Sequence, residues 1–131
     1  MIARHNCTYF FSLAFLLAII ESSDAQDIKI ADSLVKEYES NYEQISDSVK
    51  FDYLSNIAEN HPMPELRIRY AEKALEIAEK GDNDYWRAYS HNFIGYGYKL
   101  KGDLNRAINS FYTSISYFQK LQDNIGVAMV Y

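Results

Sequence analysis

From residue 27 onward, apolar side chains return every three or four positions with charged residues between them, the spacing of helices that bury one face. Ile28, Ile30, Ala31, Leu34, Val35 and Tyr38 predict a lead-in helix over 27–40, and the polar stretch 41–46 interrupts it. Ser46-Asp47-Ser48 offers capping side chains to a second helix whose stripe is Val49, Tyr53, Leu54, Ile57 and Ala58. That helix must end near Asn60, because Pro62 drives the residue before it out of the helical region. Pro64 suits a first helical turn, and Glu65 beside it complements the positive helix terminus. The third stripe is Leu66, Ile68, Tyr70, Ala71, Ala74, Leu75 and Ala78, stopping at Lys80-Gly81 with the glycine expected in the left-handed conformation. After the turn Asp82-Asn83-Asp84, a fourth helix over 85–101 contains Trp86, Tyr89, Phe93, Ile94, Tyr98 and Leu100. Gly102-Asp103 turns the chain into a fifth helix over 104–121, on which Ala107, Ile108, Phe111, Ser114, Ile115 and Phe118 face back onto the fourth. Gln122-Asp123-Asn124 turns once more, and residues 125–131 begin a sixth helix with Val127, Ala128 and Val130.

These stripes repeat at forty residues. The shift lays Leu54 on Ile94, Ala58 on Tyr98, Ile68 on Ile108, Tyr70 on Ser110, Ala71 on Phe111, Ala74 on Ser114, Leu75 on Ile115 and Ala88 on Ala128. A period of this length is the signature of stacked helical hairpins. The expected fold is therefore all-α, with a lead-in helix over 26–44 and a repeat domain over 45–131 divided into 45–84, 85–124 and a partial unit 125–131. The partial unit carries no capping glycine, basic last turn or polar outer face, so the expectation is that the natural polypeptide continues beyond Tyr131.

Residues 1–25 differ from the rest: one positive charge at Arg4, an apolar run from Thr8 to Ile20, then Glu21-Ser22-Ser23-Asp24-Ala25. This is the order of a signal peptide, the run is short of the ~20 residues of a bilayer span, and Ser23-x-Ala25 predicts cleavage before Gln26. Cys7 lies within this leader and is the only cysteine, so the mature chain has no disulfide or thiolate chemistry. Export to a periplasmic or extracellular location follows.

Composition adds limits. At 131 residues, 48% hydrophobic and 24% charged, with five glycines and two prolines, the chain suits one ordinary helical domain. Without the leader it carries 12 basic and 16 acidic residues, and the acidic excess lies within residues 27–59. Nucleic acid is thereby disfavoured as a partner, and membrane contact is left to the leader or a downstream segment.

Gly95-x-x-Tyr98-x-x-x-Gly102-Asp103-x-x-x-Ala107-Ile108-x-x-Phe111-x-x-Ser114-Ile115 resembles the tetratricopeptide repeat (TPR) family. The resemblance implies a right-handed superhelical stack of antiparallel helical hairpins, about two repeats plus a truncated third. It also implies packing roles for Leu54, Ala58, Tyr70, Ala74, Gly95, Tyr98, Gly102, Ala107 and Phe111. The chain departs from the family's pattern where Arg67 replaces the alanine of the first copy, and in a period of forty rather than thirty-four. The leader, the acidic lead-in helix and Tyr70-Ala71-Glu72-Lys73-Ala74-Leu75 are similar to the periplasmic amino-terminal regions of signalling proteins of Bacteroidetes-type bacteria.

Chemistry is hard to find. His5 leaves with the leader, and His61 and His91 lack the spacing of a metal site. No Gly-x-Ser-x-Gly turn organises a nucleophile, and Gly95-x-Gly97 lies within a helical pattern rather than after a strand. Hence no catalytic residue, cofactor or metal is expected. The aromatic series Trp86, Tyr89, Phe93, Tyr96 and Tyr98 reads as core. In the family's geometry the first helix of each hairpin lines a concave groove, which selects Asp52, Asn56 and Glu59 on one hairpin and Tyr89, Asn92, Tyr96 and Lys99 on the next as a peptide-binding surface. Asp52 stands where a carboxylate-gripping lysine would be required, so a basic or neutral protein or peptide segment is the expected partner. The sequence leaves the oligomeric state open. The expected function is a non-catalytic protein- or peptide-binding scaffold, or else the input region of a larger signalling protein with a kinase, cyclase or transcription-regulator output beyond Tyr131. Edman sequencing of the exported protein should begin at Gln26, and an intact Met1 would remove the cleavage assignment.

Overall fold

The computed structural model describes residues 28–131, so the leader and its cleavage position lie outside the described residues. Within them every regular element is a helix: α1 (28–41), α2 (Asp47–Asn60), α3 (Pro64–Lys80), α4 (Asp84–Lys101), α5 (Leu104–Lys120) and α6 (Asn124–Val130). Each of α2 to α6 packs against its neighbour in sequence, and α2 also reaches α4. Turns of two or three residues leave α3, α4, α5 and α6 no choice but to fold back on one another. Most ends fall within a residue of the expected ones, with α2 starting earlier, at Asp47.

The turns show a finer register than the forty-residue echo. Met63, Asn83, Asp103 and Asp123, twenty residues apart, are the N-caps of α3 to α6. At the last three the side chain accepts from the backbone N–H three residues on, at 3.0, 3.1 and 2.9 Å, satisfying donors a helix start leaves open. In the same turns, the N–H groups of Asn83, Asp103 and Asp123 donate to the carbonyls of Ala78, Tyr98 and Phe118, each at 2.9 Å, closing the preceding helix. Helix and turn together span twenty residues. α2 is only 14 residues long and starts three residues late against this register, which explains why the first copy echoes the second mainly through α3.

One turn assignment is corrected. Gly81 has φ −84°, and Asp82, at φ 48°, takes the left-handed position instead, as Gly102 and Gln122 do at φ 84° and 58°. The closing bond from Asn83 to Ala78 places the reversal one residue past the glycine, and a short polar side chain tolerates that conformation.

The core follows the expected stripes. Leu54, Ala58, Tyr70, Ala71 and Ala74 are buried at the junction of α2 and α3, with Phe51 stacked on Trp86 at 4.6 Å. Ala107 is buried, and Phe111 and Tyr98 are half-buried. Ser114 donates to the Ala88 carbonyl at 2.7 Å, which satisfies a fully buried hydroxyl and ties α5 to α4. Phe118 is also fully enclosed, a burial of about 1.5–3 kcal/mol. Ile108 departs from its expected inward position and stands half exposed beside Tyr112, and Ile28, Ile30, Val49 and Leu100 of the expected stripes are exposed as well.

Both glycines of Gly95-x-Gly97 are explained by close approach. A Cβ at Gly95 would lie 2.6 Å from the Phe111 ring on α5, and one at Gly97 would lie 2.5 Å from Ile68 Cγ1 and 3.3 Å from the Ile68 backbone nitrogen on α3. α4 is thus pressed between two helices. Gly97→Ala should destabilise the chain by about 1–2 kcal/mol in urea unfolding, because overpacking outweighs the ~1 kcal/mol gain in helix propensity. Ile68→Ala in the same chain should make Gly97→Ala neutral or stabilising; an unchanged penalty would contradict this contact.

Candidate functional site

The helix α4 leaves one face uncovered between its contacts with α3 and α5, and there the structure forms a groove of about 430 Å³. Tyr89, Asn92, Phe93 and Tyr96 enter it from α4, Glu59 from the end of α2, Arg67 from α3 and Met129 from α6. Four of the seven residues selected from sequence, Glu59, Tyr89, Asn92 and Tyr96, are therefore brought together. Asp52 and Asn56 are exposed on α2 outside it, with Asn56 Oδ1 accepting from Asn60 Nδ2 at 3.0 Å. Lys99 also lies outside, its ammonium 5.3 Å from the centre of the Tyr96 ring.

Arg67, Phe93 and Met129 were not among the selected residues. The signal for Arg67 was its position, since a long cation replaces a packing alanine in the forty-residue frame. Its side chain does not loosen the α2–α3 contact, because Ala58, Ala71 and Ala74 make that contact and the guanidinium turns into the groove. Met129 carried no sequence signal, as only the packing of α6 on α5 brings it across.

Asn92 is the most telling member. It is 7% exposed, and its Oδ1 is buried without a hydrogen-bond partner. A buried amide oxygen left open costs about 1–3 kcal/mol, as do the unpartnered Ser55 and Ser90 hydroxyls elsewhere in the core; Asn92 alone of these lines the groove. Arg67 is anchored by Nε, which donates to the His61 carbonyl, while its two Nη groups have no partner among the described residues. Burial lowers the Arg67 guanidinium below its ordinary value and nearby Glu59 opposes that shift, yet the two form no ion pair among the described residues. Tyr85 donates to the Tyr89 hydroxyl at 3.1 Å, leaving the Tyr89 proton free to donate. Burial pushes the Tyr89 phenol up to about 12, so it stays neutral.

Of the aromatic series, Trp86, Tyr89, Phe93 and Tyr98 pack against the core as expected and Tyr96 is exposed; Tyr89 and Phe93 also present an edge to the groove beside Tyr96, and Tyr89 is set edge-on to Phe118 at 5.2 Å. Among the described residues no group of three or more His, Cys, Asp or Glu side chains is placed to hold a metal, and no helix is long and apolar enough to cross a membrane. No protein-family model, curated protein or solved structure matches the chain. The groove's own geometry therefore carries the functional argument.

The wall behind Arg67 contains a fully buried histidine. His61 Nδ1 accepts from the Met63 N–H at 3.1 Å, so the neutral ring carries its proton on Nε2, which is buried and unpartnered. Burial lowers the His61 pKa, with Asp32 opposing and Arg67 reinforcing the shift, and burial also lowers that of His91. The unfolded chain then binds more protons below its ordinary histidine value of about 6.5. Stability is fully present above that pH and is lost as pH falls through it toward the folded values. Unfolding midpoints in urea should drop between pH 8 and pH 5.5, and the drop should shrink in His61→Asn, whose Oδ1 can still accept from Met63. Identical slopes in the two proteins would exclude His61 as a source.

Proposed function

We propose that this chain is a non-catalytic binding scaffold of TPR-like architecture, with a ligand held in the groove of α2, α4 and α6. Two features support the hairpin reading. The groove draws mainly on alternate helices, as a stack that presents the first helix of every hairpin on one face would do, and the twenty-residue register gives the consecutive helices α3, α4 and α5 nearly equal lengths of 17, 18 and 17 residues. The observation that carries the binding reading is the groove itself, where the Asn92 side chain and the opposite charges of Arg67 and Glu59 meet on one surface. Tyr89, Phe93 and Tyr96 add ring surface at low entropic cost, and a half-buried arginine supplies charge. The export reading rests on residues 1–25.

A phage-displayed dodecapeptide library selected on the exported chain tests this. Enriched peptides should lose at least tenfold in affinity, about 1.4 kcal/mol, on Asn92→Ala, while the thermal unfolding midpoint holds or rises because no internal hydrogen bond is removed. Peptides that bind Asn92→Ala as tightly as the parent chain, or a library that yields no binder, would sink the assignment.

A further inference from the structure

Arg67 and Glu59 carry opposite charges into the same 430 Å³ groove without closing on each other, and the open amide of Asn92 lies between the rings of the same cavity wall. Here Arg67 is held back by its Nε bond to the His61 carbonyl, at the bend that Pro62 and Pro64 impose between α2 and α3. Its Nη edge, the side of the guanidinium that matches a carboxylate, has no partner among the described residues. Glu59 stands on the last turn of α2 with its carboxylate unpaired among the described residues. A ligand that carries only a cation would leave the half-buried Arg67 desolvated and uncompensated, and one that carries only an anion would bring its charge beside the exposed Glu59 with nothing to offset the repulsion. A ligand carrying both completes both.

We propose that the groove binds a zwitterion, a free α-amino acid or dipeptide with an aromatic or large apolar side chain. Its carboxylate sits at Arg67, its ammonium at Glu59 and its side chain among Phe93, Tyr96 and Met129. This inference rests on the groove-binding reading and narrows it. Asn92 lines the same wall, and the Tyr89 hydroxyl, which accepts a hydrogen bond from Tyr85, has its own proton to donate to the carboxylate. The cavity volume falls within the range of about 300–1,000 Å³ typical of small-ligand sites. The partner expected from Asp52, a basic or neutral segment, is replaced by one of balanced charge, because Asp52 lies outside the groove and Arg67 lies within it.

The other candidate surfaces carry less. The depression lined by Tyr38, Tyr42 and three glutamates lacks an open buried amide, and nothing in the structure shows what covers the exposed apolar side chains of Ile108, Tyr112 and Tyr131.

Isothermal titration of the exported chain with five probes tests the inference: L-phenylalanine, phenylalanyl-alanine, phenylalanine amide, N-acetylphenylalanine and N-acetylphenylalanine amide. At least one of the two zwitterions should bind, and loss of either charge should weaken binding at least tenfold. Arg67→Gln should erase the advantage conferred by the carboxylate and Glu59→Gln that conferred by the ammonium, each leaving the other intact. Arg67→Lys, which keeps the charge without the fork, should fall between the parent and Arg67→Gln. Binding of N-acetylphenylalanine amide as tight as that of L-phenylalanine overturns the charge pairing. So does silence of both zwitterions at about 1 mM while displayed dodecapeptides bind, in which case the groove reading survives alone. Silence of every probe and of the library together overturns both.

Discussion

The structure depends on how closely α4 is gripped on two sides. Gly95 and Gly97 are two residues apart, and at 3.6 residues per turn such positions point in nearly opposite directions. One receives the Phe111 ring of α5 and the other receives Ile68 of α3 at distances no added Cβ would permit. The same device recurs at the next interface, where Gly126 of α6 lies under the Phe118 ring. Small residues elsewhere at these crossings, Ala88, Ala107 and Ser114, keep the helices close along their length. A helix held on both flanks has one face left, and on α4 that face is Tyr89, Asn92, Phe93 and Tyr96.

The groove is a consequence of that grip rather than a separate construction. Because α3 lies tight against Gly97, its preceding residue Arg67 is carried to the groove edge, and because α6 lies tight against Phe118, Met129 reaches across from the other side. Polar groups gathered there are poorly satisfied within the protein: Asn92 has an open acceptor, and Arg67 and Glu59 have unmatched charges. Such groups oppose stability in the free chain, the usual mark of a place where local rules yield to binding. Away from the groove, several charges are paired across helix ends. Asp84 is held below its ordinary value by Lys120 and Arg87, an arrangement that ties the start of α4 to the end of α5.

Much of the fold was legible because helix periodicity, capping and breaking are local. Pro64, Asn83, Asp103 and Asp123 act within a few residues of themselves, so the helix ends could be read to within a residue or two. The reading failed at Gly81, where the left-handed residue is Asp82, because the position of the reversal depends on which carbonyl closes the helix. The core assignment of the aromatic series holds for Trp86, Tyr89, Phe93 and Tyr98 and fails at Tyr96, which stands exposed at the groove. Glu59, Tyr89, Asn92 and Tyr96 were within reach because they share faces of predicted helices. Arg67 and Met129 were not grouped with them because no spacing along the chain links α3 and α6 to α4, and Phe93, on α4 itself, read as core.

By itself the sequence determined an all-α chain, the number and bounds of its helices, and the small residues at which they meet, since each follows from backbone preferences and from apolar side chains leaving water. Only the tertiary structure decided that Gly97 faces Ile68, that Arg67 turns into the groove instead of disrupting a helix crossing, and that Glu59 and Arg67 share a cavity unpaired. Those outcomes depend on the relative placement of helices, which is set by the sum of contacts across three interfaces and is encoded in no single segment.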